Sequence, residues 1–246
     1  MTIPACKPEL LGQTVVVIGG SAGIGLETAR RARTEGAEVV LVGRDPGRLE
    51  RAAKELGTQR TEAFDTTDPA ALAAFFQDLP VPIDHVMVTA GGPSYGPLLE
   101  MSAAEVRDAI SDHAVLELEV ARNAVGRVRP GGSLVFMGGT GARRVGRGLG
   151  AASAATNVLP PFTAALALEL APVRVNLIAA GFVDTPLSAS LLGGRIEERR
   201  DELRATLLIG RVVRPEDVAA LAIHLMVNTA LTGATYDIDG GQQFVS

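Results

Sequence analysis

The chain is short of the residues that staple small folds and hold metals. Among its 246 residues there is one cysteine, Cys6, no tryptophan, and aromatics make only 4%. A lone thiol excludes an internal disulfide framework and any cysteine-rich metal centre. The three histidines, His85, His113 and His224, have no metal-ligand spacing with one another, so no metal is expected. A basic field is also missing. The net charge is −5, which argues against nucleic acid and anionic membrane surfaces as partners. The opening stretch, MTIPACKPELLG, has two early prolines and no long apolar region, so residues 1–11 read as a tail and not a signal peptide. The most apolar later stretch, residues 157–170, contains Pro160-Pro161 and Glu169 and falls short of a membrane span. These absences together describe a cytoplasmic protein. No Gly-x-Ser-x-Gly elbow occurs, which excludes a hydrolase nucleophile of that type. Tyrosine and lysine are scarce as well: they are Tyr95, Tyr236, Lys7 and Lys54, and none lies between Gly96 and Thr235.

What is abundant is aliphatic. Hydrophobic residues make 47% of the chain, so a core of Ala, Val, Leu and Ile is expected, in one unit spanning residues 1–246. Residues 15–44 organise it. Val15, Val16, Val17 and Ile18 form a continuous β-branched run, the pattern of a parallel strand buried on both faces. It stops at Gly19-Gly20. From Gly23 the apolar spacing becomes helical, with Glu27, Arg30, Arg31, Arg33 and Glu35 on the charged face, until Gly36 ends it. Residues 39–42 repeat the buried-strand pattern, so the helix crosses over between parallel strands. The turn then lies at the sheet's carboxyl edge, where Gly19, Gly23 and Gly25 leave no Cβ between a pyrophosphate and the helix N-terminus. After the second strand, Arg44 stands where an acidic residue would accept a hydrogen bond from the adenosine ribose. An arginine there suits a 2′-phosphate, hence NADP(H), while Asp45 keeps NAD(H) as the less favoured alternative. An arginine that only solvates the strand end is the competing role.

The alternation continues to the end of the chain. Helix 46–56 is followed by strand 60–64, helix 68–77 and strand 83–88. A long helix over 102–128 then leads through the turn Arg129-Pro130-Gly131-Gly132 to strand 133–137. Helix 151–170, strand 173–178, helix 215–226 and strand 235–238 complete the series. Seven strands with helices between them specify a three-layer Rossmann fold, an α/β architecture around a doubly wound seven-stranded parallel sheet. The third strand ends in Asp65-Thr66 at the same edge as the glycine turn, where a carboxylate can accept from an adenine amino group. Capping the next helix is the competing role, and it suits Asp68 better.

Four separate pieces carry a resemblance to the short-chain dehydrogenase/reductase family over nearly the whole length. Ile18-Gly19-Gly20-Ser21-Ala22-Gly23-Ile24-Gly25 resembles the family's Thr-Gly-x-x-x-Gly-Ile-Gly, with Ile18 in place of threonine. Val88-Thr89-Ala90-Gly91 sits where Asn-Asn-Ala-Gly is usual. Residues 166–185, LALELAPVRVNLIAAGFVDT, are similar to the family's helix, sixth strand and Pro-Gly-x-x-x-Thr loop, with Ala180 for the proline. Residues 211–218, then Thr232-Gly233 and Asp239-Gly240-Gly241, resemble its C-terminal helix and last strand. The resemblance implies that Gly19, Ser21, Gly23, Ile24, Gly25, Thr66, Ala90 and Gly91 join Arg44 and Asp65 around the cofactor. It places Val183 and Thr185 at the nicotinamide end, a substrate loop over about residues 182–212, and the chain in a homodimer or homotetramer.

Family members pass a hydride to or from nicotinamide while a tyrosine exchanges a proton with the substrate oxygen. A lysine one helical turn later lowers the phenol's pKa, a serine further upstream holds the oxygen, and an asparagine on the preceding long helix completes a proton path. Counting back from Ala167-Leu168-Glu169-Leu170 puts Ala152, Thr156, Gly139 and His113 at these positions. No register restores the tyrosine and lysine, because neither type occurs between Gly96 and Thr235. His113 is then the candidate proton donor, against a histidine merely satisfied by its neighbours. Thr140 is the candidate for holding a substrate oxygen, against a flexible Gly138-Gly139-Thr140-Gly141 turn. Tyr95 lies where family members line the substrate pocket, as a catalytic hydroxyl or as an aromatic lid. Arg143, Arg144 and Arg147 suit a carboxylate or phosphate on the substrate, or else a solvated loop. Pro160-Pro161 should kink a helix that usually packs against a partner subunit. Two functions follow from this reading. One is an NADP(H)-dependent oxidoreductase for a small carbonyl, imine or alcohol-type substrate, with an atypical proton donor. The other is a nucleotide-binding homologue without catalysis, acting as sensor or partner subunit.

Overall fold

In the computed structural model, residues 8–143 and 145–245 are described; Cys6, Lys7 and Arg144 lie outside the described residues. Seven strands, β1 (Thr14–Ile18), β2 (Glu38–Gly43), β3 (Arg60–Ala63), β4 (Ile83–Val88), β5 (Val128–Gly139), β6 (Arg174–Ala180) and β7 (Thr235–Ile238), make one sheet in the order β3-β2-β1-β4-β5-β6-β7. Every pair in it is parallel. Parallel neighbours need crossovers, and these are the helices α1 (Gly23–Thr34), α2 (Pro46–Leu56), α3 (Pro69–Asp78), α4 (Ala103–Ala124), α5 (Gly150–Glu169), α6 (Pro186–Leu192), α7 (Ile196–Thr206) and α8 (Pro215–Val227). The chain winds outward from β1 to β3, returns to place β4 beside β1, and winds outward the other way. That reversal leaves a crevice at the carboxyl ends of β1 and β4.

The period of two along each strand divides the core. Val15, Val17, Val39 and Leu41 pack with Ala29, Ala32, Leu49 and Ala222, from α1, α2 and α8. Val16, Ile18, Val40, Val42 and Phe136 pack on the opposite face with Phe76 of α3, Leu116 and Val120 of α4, and Leu159 of α5. Both faces are covered, which is why the central strands are aliphatic without alternation.

Two boundaries differ from expectation. The long helix stops at Ala124, not at residue 128, because Gly126 takes φ +70° and turns the chain out of the helix. Residues 129–132 are not a free turn but part of β5, where Ile83 pairs with Val128 and the register shifts before His85 pairs with Ser133. Gly132 is needed in that bulge, since a Cβ would stand 2.4 Å from the Asp84 carbonyl oxygen. Helix α5 runs through both Pro160 and Pro161 without a break. Asn157 and Pro161 face solvent, so water can serve backbone carbonyls that lose a helical donor. At 20 residues and a mean hydropathy of 1.2, α5 is the one helix among the described residues long and apolar enough to cross a membrane; 44% of that stretch is buried in the fold. It packs against α4, β5 and β6. The expected loop over residues 182–212 holds α6 and α7.

Candidate functional site

The glycine turn is clamped between two strand ends. Gly19 and Gly20 donate their N–H groups to the Val42 carbonyl at 2.9 and 3.0 Å, and Thr89 donates its N–H to the Ile18 carbonyl at 2.7 Å. Thr89 Oγ1 donates to the Gly19 carbonyl at 3.2 Å. A Cβ at Gly19 would stand 2.5 Å from Thr89 Oγ1, and one at Gly25 would stand 2.3 Å from the Gly19 carbonyl oxygen, so neither position tolerates a side chain. Gly23, at φ +54°, instead faces Thr185 across the crevice, with the nearest atom 3.5 Å from where its Cβ would be. Helix α1 is capped at its N-terminus by Ala22, which offers no side-chain acceptor, and no acidic residue occupies its first turn. A cradle with bare N–H groups, no Cβ and no carboxylate fits the pyrophosphate of a dinucleotide.

At the adenosine end, Ser21 Oγ lies 3.2 Å from where a Gly43 Cβ would be. Asp45, the residue that kept NAD(H) in play, spends its carboxylate on the start of α2. Its Oδ1 accepts from the Arg48 N–H at 3.0 Å and its Oδ2 lies 3.4 Å from Arg48 Nε. The Arg48 N–H is also the main reason its pKa lies below the usual value. Arg44 is exposed, without an ion-pair partner among the described residues, and its charge acts on Asp65. Asp65 Oδ1 accepts from the Thr67 N–H and hydroxyl at 3.0 and 2.9 Å, which lowers its pKa. Asp68 caps α3 through the N–H groups of Ala70 and Ala71. Ser21, Arg44, Asp65 and Thr66 lie at the sheet edge and do not line the adjoining cavity.

That cavity, about 1100 Å³, brings together the other expected residues. Gly19, Gly23, Ile24 and Gly25 line it from the β1–α1 turn, Ala90 and Gly91 from the end of β4, and Val183 and Thr185 from the loop after β6. Tyr95, His113 and Thr140 line it too, as do Gly139, Ala152 and Thr156. Gly91 is held at φ +102°, and a Cβ there would stand 3.0 Å from His113 Nε2, so the imidazole lies against the backbone of this strand end. Burial lowers the pKa of His113 against a smaller opposing effect of Asp112, leaving a neutral ring at neutral pH. Its Nδ1 is buried and unpartnered. Burial raises the Tyr95 phenol above its ordinary pKa, and Lys54, the one lysine among the described residues, does not line the cavity. Thr140 is 8% exposed at the start of a short 3₁₀ turn, Thr140–Arg143.

The arginine cluster divides. Arg143 makes a two-pronged pair with Asp237 of β7, at 2.9 and 2.7 Å, so it is committed to structure and not to a substrate. Arg147 lines the cavity. Sequence reasoning missed Arg195 and Arg199, which line it from the α6–α7 region, and Ser153, whose hydroxyl donates to the Gly141 carbonyl at 2.9 Å. The one signal for the arginines was their helical spacing, 195 and 199, on a common face.

A family model described as Enoyl-(Acyl carrier protein) reductase matches residues 19–243. The relative "Short-chain dehydrogenase/reductase ATR9" of Stachybotrys chlorohalonatus (strain IBT 40285) is 30% identical over 259 residues, covering 95% of this chain and 98% of its own. Among solved structures, MalC reductase/Diels-Alderase from Malbranchea aurantiaca superposes with a TM-score of 0.89 at 23% identity over 96% of this chain and 98% of its own, a likeness of fold. A point variant of actinorhodin polyketide ketoreductase, solved with NADPH, gives 0.86 at 28% identity over 94% and 97% of the two chains. With a glycine cradle at the switch point of the sheet and a match that runs almost from end to end, the chain belongs to the short-chain dehydrogenase/reductase family of nicotinamide-dependent oxidoreductases.

Proposed function

We propose that the protein is an NADP(H)-dependent oxidoreductase for a small carbonyl, imine or alcohol-type substrate, with His113 as proton donor in place of the family's tyrosine and lysine. The observation that carries this reading is a half-buried imidazole lying against Gly91 in the same cavity as an unobstructed glycine cradle. Gly19, Gly23 and Gly25 would hold the pyrophosphate, with Val183 and Thr185 near the nicotinamide, which when bound supplies or takes up a hydride. Support for NADP(H) comes from Asp45, spent on α2, beside an unpaired Arg44, and from the NADPH bound to the ketoreductase relative. Support for a missing tyrosine and lysine comes from Gly139, Ala152 and Thr156, none ionisable, around the same cavity. The Thr140 hydroxyl positions the substrate oxygen and Tyr95 closes the cavity's side. Arg147 and Arg195 favour a carboxylate or phosphate on the substrate. Leu168, 83% exposed on α5, supports a homodimer or homotetramer, which sedimentation of the purified protein would reveal.

Stopped-flow mixing of the NADPH complex with carbonyl, imine and enone compounds tests the reading. The expected result is NADPH oxidation above the solution rate with at least one class, slowed roughly 10²–10⁴-fold in His113→Ala. No oxidation with any class, as a purely nucleotide-binding homologue would give, overturns it.

A further inference from the structure

Buried side-chain nitrogen and oxygen atoms without a hydrogen-bond partner are few in this protein, and they gather in one place. Apart from Arg200 Nε, those among the described residues are His113 Nδ1, both carboxyl oxygens of Glu117, and Thr163 Oγ1. All of these lie on α4 and α5, which pack against each other. Such clustering points to a missing connection, since an unmade buried hydrogen bond costs about 1–3 kcal/mol per group.

His113 and Glu117 are one turn apart on α4, so their side chains share a face, and the later one leans back toward the earlier. Glu117 is 3% exposed on the stripe that carries Leu116, Val120 and Ala124 into the core. An unpaired carboxylate is not sustained there, and burial alone pushes its pKa up to about 9. At neutral pH it is therefore a carboxylic acid, able to donate a hydrogen bond. His113 Nδ1, one turn back on that face, is the other orphaned atom of α4; the two side chains are not bonded to each other as they stand, and a change of Glu117 rotamer is what joins them. The exposed Asp112 is the charged group that acts on His113, and no charge acts on Glu117 beyond the effect of burial.

We propose that Glu117 is the proton reservoir of the site: its carboxyl group donates to His113 Nδ1, holds the ring with Nε2–H toward the cavity, and passes its proton through the ring to the substrate. This rests on His113 being the donor proposed above, and it removes a weakness in that proposal. A neutral imidazole that gave up Nε2–H alone would become an imidazolate, so by itself it is a poor acid. In the coupled transfer, the Nε2–H bond breaks as the substrate O–H bond forms, and the Glu117 O–H bond breaks as Nδ1–H forms. The ring begins and ends neutral, and the negative charge of the alkoxide moves to the Glu117 carboxylate. A carboxylate is a far weaker base than an alkoxide, so the transfer runs downhill. Glu117 is recharged by the reverse path once the cavity opens to water, and alcohol oxidation uses the same path backwards.

Two spectroscopic measurements need no substrate. Infrared spectra of the apoprotein at pH 7 should show the carbonyl stretch of a protonated carboxyl group, absent in Glu117→Gln. Nitrogen-15 shifts of His113, assigned with His113→Ala, should show the Nε2–H tautomer in wild type and in Glu117→Gln, whose amide also donates, but a tautomer mixture in Glu117→Leu. With a substrate from the stopped-flow screen, Glu117→Gln should slow NADPH oxidation roughly 10²-fold while keeping the tautomer. A wild type without the carboxyl band, or an unchanged tautomer in Glu117→Leu, overturns the relay and leaves His113 as donor. Unchanged turnover in His113→Ala overturns the donor assignment itself, and the relay with it.

Discussion

Arg44 and Asp45 are neighbours with opposite fates. The carboxylate of Asp45 is held by the Arg48 N–H and guanidinium at the start of α2, whereas Arg44 projects from the end of β2 with no partner for its charge among the described residues. A charge-assisted hydrogen bond contributes about 1.5–3 kcal/mol, so Arg44→Ala should weaken NADPH binding roughly 10–100-fold and leave NADH binding nearly unchanged in a fluorescence titration. Asp45→Ala should cost about 1 kcal/mol of stability, as a lost helix cap does, without changing which nucleotide is preferred. Equal loss of both nucleotides in Arg44→Ala would count against a 2′-phosphate at this position. Sequence alone placed both residues at the end of the second strand but could not see which was occupied, because a cap depends on where the helix begins. The same limit applies to Arg143: its neighbours in sequence are basic and small, and its partner Asp237 lies 94 residues away.

At the scale of elements, the β1–α1 turn separates two kinds of glycine. Gly25 abuts the Gly19 carbonyl oxygen and allows no Cβ, while Gly23 has 3.5 Å of room but a left-handed backbone. Gly23→Ala should therefore fold with a loss of about 1–2 kcal/mol in urea denaturation. Gly25→Ala has to move the strand end itself, and should lose more stability and all measurable NADPH binding. The reverse ranking would mean that the turn is not clamped as described. The spacing of glycines was legible from sequence because a buried strand and an amphipathic helix frame it. Helix ends were less so: apolar periodicity carried the long helix past Gly126, and only pairing with β4 showed residues 128–132 to be strand. Glu117 left a faint trace, a lone acid on the stripe of Leu116, Val120 and Ala124, that reads as noise until the stripe is seen to be buried.

For the whole molecule, two buried groups set opposing pH trends. His85 of β4 bonds Ser133 Oγ through Nδ1 and Gln13 Oε1 through Nε2, both at 2.8 Å, and burial first, then Arg174 and Arg129, push its pKa down from 6.5 to about 3. The unfolded chain binds a proton there that the native state refuses, so this stabilisation is present above pH 6.5 and is lost as pH falls toward 3. Glu117 has the opposite sign. Raised from 4.5 to about 9, it keeps a proton in the native state that the unfolded chain releases, so its stabilisation is complete below pH 4.5 and is lost as pH rises toward 9. Between pH 4.5 and 6.5 the two trends oppose each other, so wild-type urea midpoints should fall chiefly from pH 6.5 to 9; Glu117→Gln should flatten that fall and leave the His85 rise from pH 4 to 6.5 unopposed. An unchanged alkaline slope in the variant would mean that Glu117 is not protonated in the native state.

From the order of its residues alone, the chain determined its crossovers, its glycine-lined sheet edge and the absence of tyrosine and lysine between Gly96 and Thr235. Those features are local or compositional: periodicity and backbone sterics act over a few residues, and a missing residue type is missing in every alignment. Tertiary structure alone decided that His113 meets Gly91, that Asp237 claims Arg143, and that Glu117 is sealed from water. Each of those depends on burial and on partners distant in the chain, and solvent exclusion, which sets the charge of both His113 and Glu117, exists only once the layers have closed.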